Sequence, residues 1–278
     1  MTPHTRSPSA GAALLPVLFV SHGSPMFALE HGSTAPALRA WAASLPSKPR
    51  GIVLKSPHWM ARSVQVMTQA MPPTWHDFGG FDPALYEMQY PAAGSPPLAA
   101  QVMQLLEAAG IPAQADPERP FDHGAWVPLM HLFPAADVPV VQVALPASYT
   151  PASLMALGAA LASLRAQGVL IIGSGSMTHN LSEFMRGRPA LHDSAAPYAM
   201  EFARWIEQTV SQGDKAALLA YRQQAPHAVR AHPTDEHFAT IYFALGAAGW
   251  GSAPAPTVQY LSREVMYSYL AMDAFALS

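Results

Sequence analysis

The sequence contains no cysteine. This absence excludes disulfide bridges and thiolate metal sites, so any metal ion must be bound through histidine, carboxylate or water. Charge is also scarce, because 15 Lys and Arg stand beside 18 Asp and Glu in 278 residues, and no segment is rich in Lys or Arg. Binding to nucleic acid requires a basic surface that neutralises phosphates. The composition therefore argues against a nucleic-acid partner.

Long apolar segments are missing as well. The main apolar run near the start, residues 14–20, contains Pro16 and is far shorter than the roughly 20 residues that a membrane span requires. Little positive charge precedes this run and no clear cleavage site follows it, which argues against a signal peptide. Half of the residues are hydrophobic, enough for a sizeable core. We therefore expect a folded cytoplasmic protein without a membrane partner.

Short apolar runs alternate with segments of helical periodicity. Buried strands are predicted at Leu15–Val20, Gly51–Lys55, Val138–Leu145 and Gly168–Gly173. Apolar residues at a spacing of about 3.6 predict helices at Pro97–Ala109, Pro151–Gln167, Ala195–Gln212 and Asp235–Ala248. Continuous apolar strands suit a sheet that helices cover on both faces. We predict an α/β fold, a single-domain α/β/α sandwich around a mostly parallel mixed sheet.

The chain shows no internal repeat and no low-complexity linker. Residues 1–13 mix Ser, Pro, Gly and Thr without apolar periodicity, and we predict that they form a flexible tail. Residues 14–278 are predicted to form one domain. Within it, the stretch from Met71 to Pro97 is rich in Pro, Gly and aromatic residues. Long loops of this kind are usually functional or disordered, and the aromatic residues favour an ordered loop over a site.

The placement of four of the twelve histidines points to a metal site. His22, His58 and His179 each follow the end of a predicted strand, and in open α/β sheets ligands bind outside the carboxyl ends of the strands. His237 lies in the first turn of a predicted helix. Neutral imidazole is a good ligand for iron, zinc, copper or nickel. We therefore predict that these four side chains form a metal site.

The simpler interpretation applies to each histidine alone, because a histidine after a strand is more often an ordinary loop residue. The neighbouring Gly23 and Pro57 shift the balance, since they constrain the backbone that aims the side chains of His22 and His58. His123 precedes a potential helix that Asp122 is placed to cap. From the residues alone, the His123 ring either points into a pocket or bonds a backbone carbonyl.

A set of short motifs, in a fixed order, carries a specific resemblance. The motifs are Ser21-His-Gly-Ser-Pro25, Ser56-Pro-His-Trp59, Pro72-Pro-Thr-Trp-His-Asp-Phe-Gly-Gly-Phe81, Tyr90-Pro-Ala-Ala-Gly94, Phe121-Asp-His-Gly-Ala-Trp126, Thr178-His-Asn-Leu181 and Pro233-Thr-Asp-Glu-His237. In these motifs the chain resembles the class III extradiol ring-cleaving dioxygenases, which include protocatechuate 4,5-dioxygenase. The similarity is greatest to the branch that opens dihydroxyphenylalanine, and it extends from about Leu15 to the C-terminus.

The resemblance implies roles for individual residues. It implies that His22, His58 and His237 bind one divalent metal per chain, Fe(II) or Zn(II). His179 would be the active-site acid and base and a potential fourth metal contact, and His123 would line the catechol pocket and assist. We predict further that two motif residues, His76 and Tyr90, contact the substrate. The implied partners are a small catechol and O2, and the sequence is compatible with a homo-oligomer.

One position departs from the pattern of the family. Its better-studied members bind iron through two histidines and one carboxylate, whereas His237 stands at the third position here, with Glu236 beside it. An all-histidine set carries less negative charge, which favours Zn(II). Two other functions therefore stay open at this point. One is a zinc hydrolase, in which three histidines activate a water molecule. The other is a non-enzymatic protein that binds peptides through the aromatic loop Trp75–Tyr90.

Overall fold

The computed structural model describes residues 14–278, so the predicted tail at residues 1–13 lies outside the described residues. The strands are β1 Val17–Ser21, β2 Gly51–Ala61, β3 Val64–Met67, β4 Ala113–Asp116, β5 Val140–Pro146, β6 Val169–Gly175, β7 Val258–Ser262, β8 Val265–Met266, β9 Leu270–Ala271 and β10 Ala274–Leu277. The helices are α1 Thr34–Ala43, α2 Pro83–Glu87, α3 Pro96–Ala108, α4 His123–Leu132, α5 Pro151–Ala160, α6 Leu181–Gly187, α7 Pro197–Gln212, α8 Lys215–Leu219, α9 Tyr221–Gln224, α10 Ala228–Ala231 and α11 Glu236–Ala247, and 3-10 turns span Pro25–Ala28 and Ala162–Gln167.

Eight strands form one mixed sheet in the order β4-β3-β5-β2-β6-β1-β10-β7. The four central strands, from β5 to β1, pair in parallel, and β10 pairs antiparallel with β1. The central strands are continuous apolar runs because both faces of the sheet are covered. Along β2, Val53 packs into one core cluster and Leu54 into the other. The predicted α/β fold with a mostly parallel mixed sheet is confirmed.

The two cores lie on opposite faces of the sheet. One contains side chains of α3, α5, α7 and α11, and the other contains side chains of α1 and α4. The α11 helix is buried along most of its length and contacts both α5 and β6, so it lies against the centre of the sheet. Residues 71–95 form an ordered loop that includes α2 and pairs with the rest of the domain at two isolated bridges, Thr74–Phe121 and Gly94–Val140. This arrangement brings the start of α11 and the carboxyl ends of β1 and β6 to one edge of the sheet.

A buried carboxyl group makes the stability of the fold depend on pH. Asp273 precedes β10 and is 3% exposed, and burial, aided by the nearby Glu207 carboxylate, raises its pKa to about 7. Because the pKa in the unfolded chain is about 3.9, ionisation of Asp273 is costlier in the folded protein. The stability associated with the protonated carboxyl is therefore lost as the pH rises from about 4 to about 7.

Asp273→Asn is expected to be more stable than the wild type at pH 8, by up to about 4 kcal/mol, since the amide does not ionise. The difference should shrink steadily as the pH falls toward 4. Urea denaturation of both proteins at several pH values measures it. A difference that stays constant with pH would show that Asp273 does not titrate in the folded protein.

Candidate active site

Three imidazoles from three different elements converge. His22 is the first residue after β1, His58 lies within β2, and His237 lies in the first turn of α11. The Nε2 atom of His58 is 3.1 Å from Nε2 of His22 and 3.3 Å from Nε2 of His237. His22 is fully buried and His237 is 6% exposed. The three ring nitrogens therefore face one point at the edge of the sheet.

An irregularity in β2 aims the side chain of His58. β2 pairs regularly with β5 up to Lys55 and again from Met60, so that residues 56–59 lie opposite Ala144 alone. The Lys55 ammonium donates to the Ala144 carbonyl, which has no strand partner there. Bulges of this kind redirect side chains beside active sites. The prediction that His58 lies beyond the end of its strand is therefore wrong, because β2 continues through the bulge to Ala61.

A hydrogen bond fixes the ring of His22. Its Nδ1 lies 3.0 Å from Oγ of Ser174, and the Ser174 hydroxyl donates its proton to the Gly124 carbonyl. Since that hydroxyl has only one proton, its oxygen accepts from Nδ1–H of His22. The neutral ring consequently has a lone pair on Nε2, the atom that faces His58.

The carboxylate beside His237 lies behind its ring. Oε1 of Glu236 accepts a hydrogen bond from Nδ1 of His237 at 2.8 Å. Nε2 of His237 is therefore the nitrogen that faces the other histidines. Metal-bound histidines commonly donate their second N–H to a carboxylate in this way, which orients the ring and increases its basicity. Glu236 thus supplies negative charge next to the histidine cluster.

The donor set fits one divalent metal ion. Ligands at 2.0–2.1 Å from an ion, separated by roughly 90–110°, lie about 2.9–3.4 Å from one another. The two Nε2–Nε2 distances of 3.1 and 3.3 Å fall in this interval. Burial, reinforced by the neighbouring histidines, lowers the pKa of His58 to about 4 and holds the pKa values of His22 and His237 well below the usual range. All three rings are therefore neutral near pH 7, the form that binds metals.

Two further imidazoles flank the three. His179 stacks on His237 with ring centroids 3.5 Å apart and an interplanar angle of 10°. Its backbone N–H donates to the Ala231 carbonyl, whereas its ring makes no hydrogen bond within residues 14–278. Burial lowers the pKa of His179 to about 4. The ring is thus neutral and free to accept a proton at the edge of the cluster.

His123 lies against His58. It is the first residue of α4, and its ring centroid lies 3.9 Å from that of His58. One of its ring nitrogens lies within 4.8 Å of ring nitrogens of His22 and His58. The partner of Nδ1 is Oδ1 of Asp77, at 2.9 Å, and not the backbone carbonyl that the sequence left open. The five histidines at 22, 58, 123, 179 and 237 are therefore brought together.

Asp122 occupies the position before α4, but its side chain does not cap the helix. Its carboxylate is fully buried and accepts hydrogen bonds from Ser56, Arg119 and Gln142. These donors hold the carboxylate away from the helix N-terminus, which is why the capping role predicted from its position is wrong. Asp77 accepts from the backbone N–H of His123 instead. No local sequence pattern signals this contact, because the two residues are 46 positions apart.

Of the two predicted substrate residues, Tyr90 points away from the cluster, whereas His76 and His123 both pack against the Phe78 ring. Nε2 of His76 lies 3.0 Å from the Met88 carbonyl, and Phe78 packs edge-on against both His76 and His123. Tyr90 is 1% exposed and its hydroxyl donates to the Phe133 carbonyl at 3.0 Å, just past α4. Ten residues of helix place that carbonyl about 15 Å from His123. Phe78, which the sequence did not single out, is the aromatic side chain that lies against His123.

Comparison with known proteins decides the family. Residues 16–271 match the family described as the catalytic LigB subunit of aromatic ring-opening dioxygenase. This chain belongs to that family. It is 39% identical over 237 residues to the 4,5-DOPA dioxygenase extradiol of Beta vulgaris, covering 84% of this chain and 87% of the relative. It is 36% identical over 253 residues to the Escherichia coli K12 protein of the same name, covering 89% and 90%.

A solved structure agrees with this assignment. The crystal structure of the Escherichia coli K12 protein JW3007 is similar at a TM-score of 0.76 and 28% identity, with 95% of this chain and 100% of that chain covered. The resemblance inferred from the motifs is confirmed, and the chain is an extradiol-type dioxygenase of the LigB family. Its histidine cluster suits the metal dependence of that family. No helix within residues 14–278 is both long and apolar enough to cross a membrane.

Glu236→Gln is expected to weaken metal binding by roughly 10- to 100-fold, because the neutral amide attracts Nδ1–H of His237 less strongly than the carboxylate does and leaves the ring less basic. Titration of the metal-free protein with Zn(II) or Co(II) measures this change. Glu118→Gln, at an exposed loop carboxylate, is the control and should bind metal like the wild type. Equal affinities for all three proteins would show that Glu236 does not act on the ligand.

Proposed function

We propose that this member of the LigB family opens the ring of 3,4-dihydroxyphenylalanine, or of a close analogue, at the 4,5 bond with O2. The ion would be Fe(II), bound by His22, His58 and His237. The observation that supports this proposal is the convergence of three neutral Nε2 atoms at 3.1 and 3.3 Å, flanked by two further imidazoles. The relatives named 4,5-DOPA dioxygenase extradiol suggest the substrate.

When bound, Fe(II) supplies the one-electron chemistry that couples a catechol to O2, which no side chain of this protein can supply. The three histidines would hold the ion, and a set of three protein ligands leaves positions for other molecules. The rest of the reaction requires proton transfer. The chain must accept a proton from a phenolic hydroxyl and later return one as the O–O bond breaks.

His179 is the residue that we propose for this proton transfer. Its ring lies directly against His237, is neutral at working pH, and has no hydrogen-bond partner within residues 14–278. A neutral imidazole can take a proton at one step and give it back at the next. Because the ring lies against a ligand and not among the three convergent nitrogens, we assign His179 to proton transfer, with metal contact as a secondary role.

The negative charge around the ligands supports iron as the working metal. The sequence alone favoured zinc, because the three ligands carry no charge. Glu236, however, bonds the rear nitrogen of His237, and Oδ2 of Asp77 lies 3.7 Å from Nδ1 of His58. Glu236 thus lies immediately behind one ligand and makes its ring more basic, whereas Asp77 lies too far from His58 to form a hydrogen bond with it. We propose that Zn(II) occupies the same site without supporting turnover.

A groove beside Glu236 suits an amino-acid substrate. It has a volume of about 560 Å³, and its lining includes Arg222, Asp235 and Glu236. The substituent of dihydroxyphenylalanine carries one ammonium and one carboxylate. A wall that offers both a guanidinium and carboxylates complements such a pair.

Oxygen uptake by the Fe(II)-reconstituted protein with dihydroxyphenylalanine tests the proposal. We expect uptake together with a yellow product, and neither with the zinc-loaded protein or the His22→Ala variant. The zinc hydrolase makes the opposite prediction, since it would cleave esters or amides under anaerobic conditions with Zn(II) bound. The proposed function would be contradicted if the protein hydrolysed esters under anaerobic conditions and consumed no oxygen with any catechol.

A further inference from the structure

We propose that Asp77 is a positioning residue of the active site, which holds the His123 ring in one orientation and in its Nδ1–H form. The inference rests on the proposed function, because it gives His123 a defined part in binding the catechol. Asp77 lies in the loop 71–95, and its side chain is 7% exposed.

One oxygen of Asp77 makes two contacts with the same residue. Oδ1 accepts from the backbone N–H of His123 at 2.9 Å and from Nδ1 of its ring at 2.9 Å. The first contact fixes the start of α4, and the second fixes the rotation of the ring. A single carboxylate therefore couples the conformation of the loop to the direction in which the imidazole points.

Asp77, and not the adjacent Asp122, accepts the hydrogen bond from the first N–H of α4. Asp122 stands directly before α4, where a carboxylate ordinarily accepts from the first free N–H groups of a helix. Its oxygens are taken by Ser56, Arg119 and Gln142. The N–H of His123, the first residue of the helix, has no acceptor within the helix and bonds one from elsewhere in the chain. The loop supplies that acceptor, and Phe78, the next residue after Asp77, packs edge-on against the same ring at 5.6 Å.

The hydrogen-bond partner of Nδ1, Asp77, determines the tautomer of the His123 ring. An ionised carboxylate only accepts hydrogen bonds, so Nδ1 of His123 must carry the proton. In the neutral ring Nε2 is then an acceptor. The ring lies against His58 with centroids 3.9 Å apart, which places this acceptor beside the metal ligands. We infer that Nε2 of His123 accepts a hydrogen bond from a catechol hydroxyl, an arrangement that the other tautomer cannot make.

Nitrogen-15 NMR of the metal-free protein determines the tautomer of His123 independently of catalytic activity. We expect the wild type to show His123 as the Nδ1–H form, with its signals assigned by their loss in His123→Gln. In Asp77→Ala the ring should relax toward a mixture of tautomers. We expect kcat of the Fe(II) protein to fall roughly 10- to 100-fold, while Zn(II) affinity stays within about threefold, because Asp77 is hydrogen-bonded to His123 and to none of the three proposed ligands.

Asp82→Ala is the matched control. Asp82 lies in the same loop and also caps a helix, since its Oδ1 accepts from the Ala84 N–H at 2.8 Å, but its side chain is exposed. This variant should keep the wild-type tautomer and kcat. Asp77→Asn is a second variant in case the alanine variant folds poorly. The backbone N–H of His123 holds the amide with its oxygen inward, so we expect the Nδ1–H form to be kept.

Several results would overturn the proposal. These are a wild-type His123 in the Nε2–H form, an unchanged tautomer and kcat in Asp77→Ala, or equal losses in Asp82→Ala. Failure of the proposed function is distinguishable, because it would appear as a wild type without oxygen uptake. The tautomer measurement decides the role of Asp77 in either case, since it uses metal-free protein.

Discussion

His58→Ala is expected to lower the affinity for a divalent metal by more than about 100-fold and to abolish oxygen uptake. The Nε2 atom of His58 is the one that contacts both other ligands, at 3.1 and 3.3 Å, so its loss leaves only two nitrogens that are no longer held together. Substitution of a residue that is hydrogen-bonded to a metal ligand already lowers metal affinity about 10- to 100-fold, and removal of the ligand itself should lower it further.

Metal titration and atomic absorption of the purified variant measure this effect. His192→Ala is the matched control, because this histidine is exposed and lies outside the cluster. The control should bind one metal ion per chain with unchanged affinity. Retention of one tightly bound ion by His58→Ala would mean that the metal binds elsewhere, for instance through His179, Glu236 and His237, whose donor atoms lie within 4.8 Å of one another.

His179→Ala is expected to keep the metal and to lose turnover. General acid–base catalysis contributes about 10²- to 10⁴-fold, and we expect kcat to fall by that factor while metal affinity changes less than about threefold. The ring of His179 stacks on His237 and does not lie between the convergent nitrogens, which is why its removal should leave the ion in place.

Steady-state kinetics of the Fe(II) protein, together with a metal titration, separate the two effects. Added imidazole should restore part of the activity by entering the space that the missing ring leaves. Full activity in His179→Ala would remove this residue from the mechanism. Loss of the metal in this variant would make His179 a fourth ligand instead.

The central strands could be predicted because a strand that is buried on both faces of the sheet has a continuous run of apolar residues. β1, β5 and β6 are continuous apolar runs and lie within two residues of their predicted bounds at either end. The peripheral strands gave no such signal. β4 has the sequence Ala-Gln-Ala-Asp and is at most half-buried, so its pairing depends on the neighbouring strand and not on its own composition. The α4 helix was only suggested, since Pro128 interrupts its pattern.

The histidines of the site could be predicted because their residue type suits a metal and their positions lie near strand ends or a helix start. Roles that depend on contacts between residues far apart in the sequence could not be predicted. Histidines near the strand ends and at a helix start could be grouped, because parallel strands end at one edge of a sheet. A residue that belongs to one of the shared motifs can still lie far from the histidines. The prediction that Tyr90 contacts the substrate fails for this reason, because its hydroxyl donates to the Phe133 carbonyl. The role of Asp77 depends on a contact across 46 residues, and no local pattern encodes it.

Isotope labelling is the most direct test of ring opening at this site. The Fe(II)-reconstituted protein is incubated with dihydroxyphenylalanine under ¹⁸O2, and the product is analysed by mass spectrometry. Cleavage beside the diol converts the hydroxyl-bearing carbon to a carboxylate and its neighbour to an aldehyde, and each receives one atom from O2. We expect a ring-opened product that keeps one ¹⁸O in the new carboxylate even after the aldehyde exchanges with water. A product that contains oxygen from water alone, or an unchanged catechol despite bound iron, would contradict the assignment.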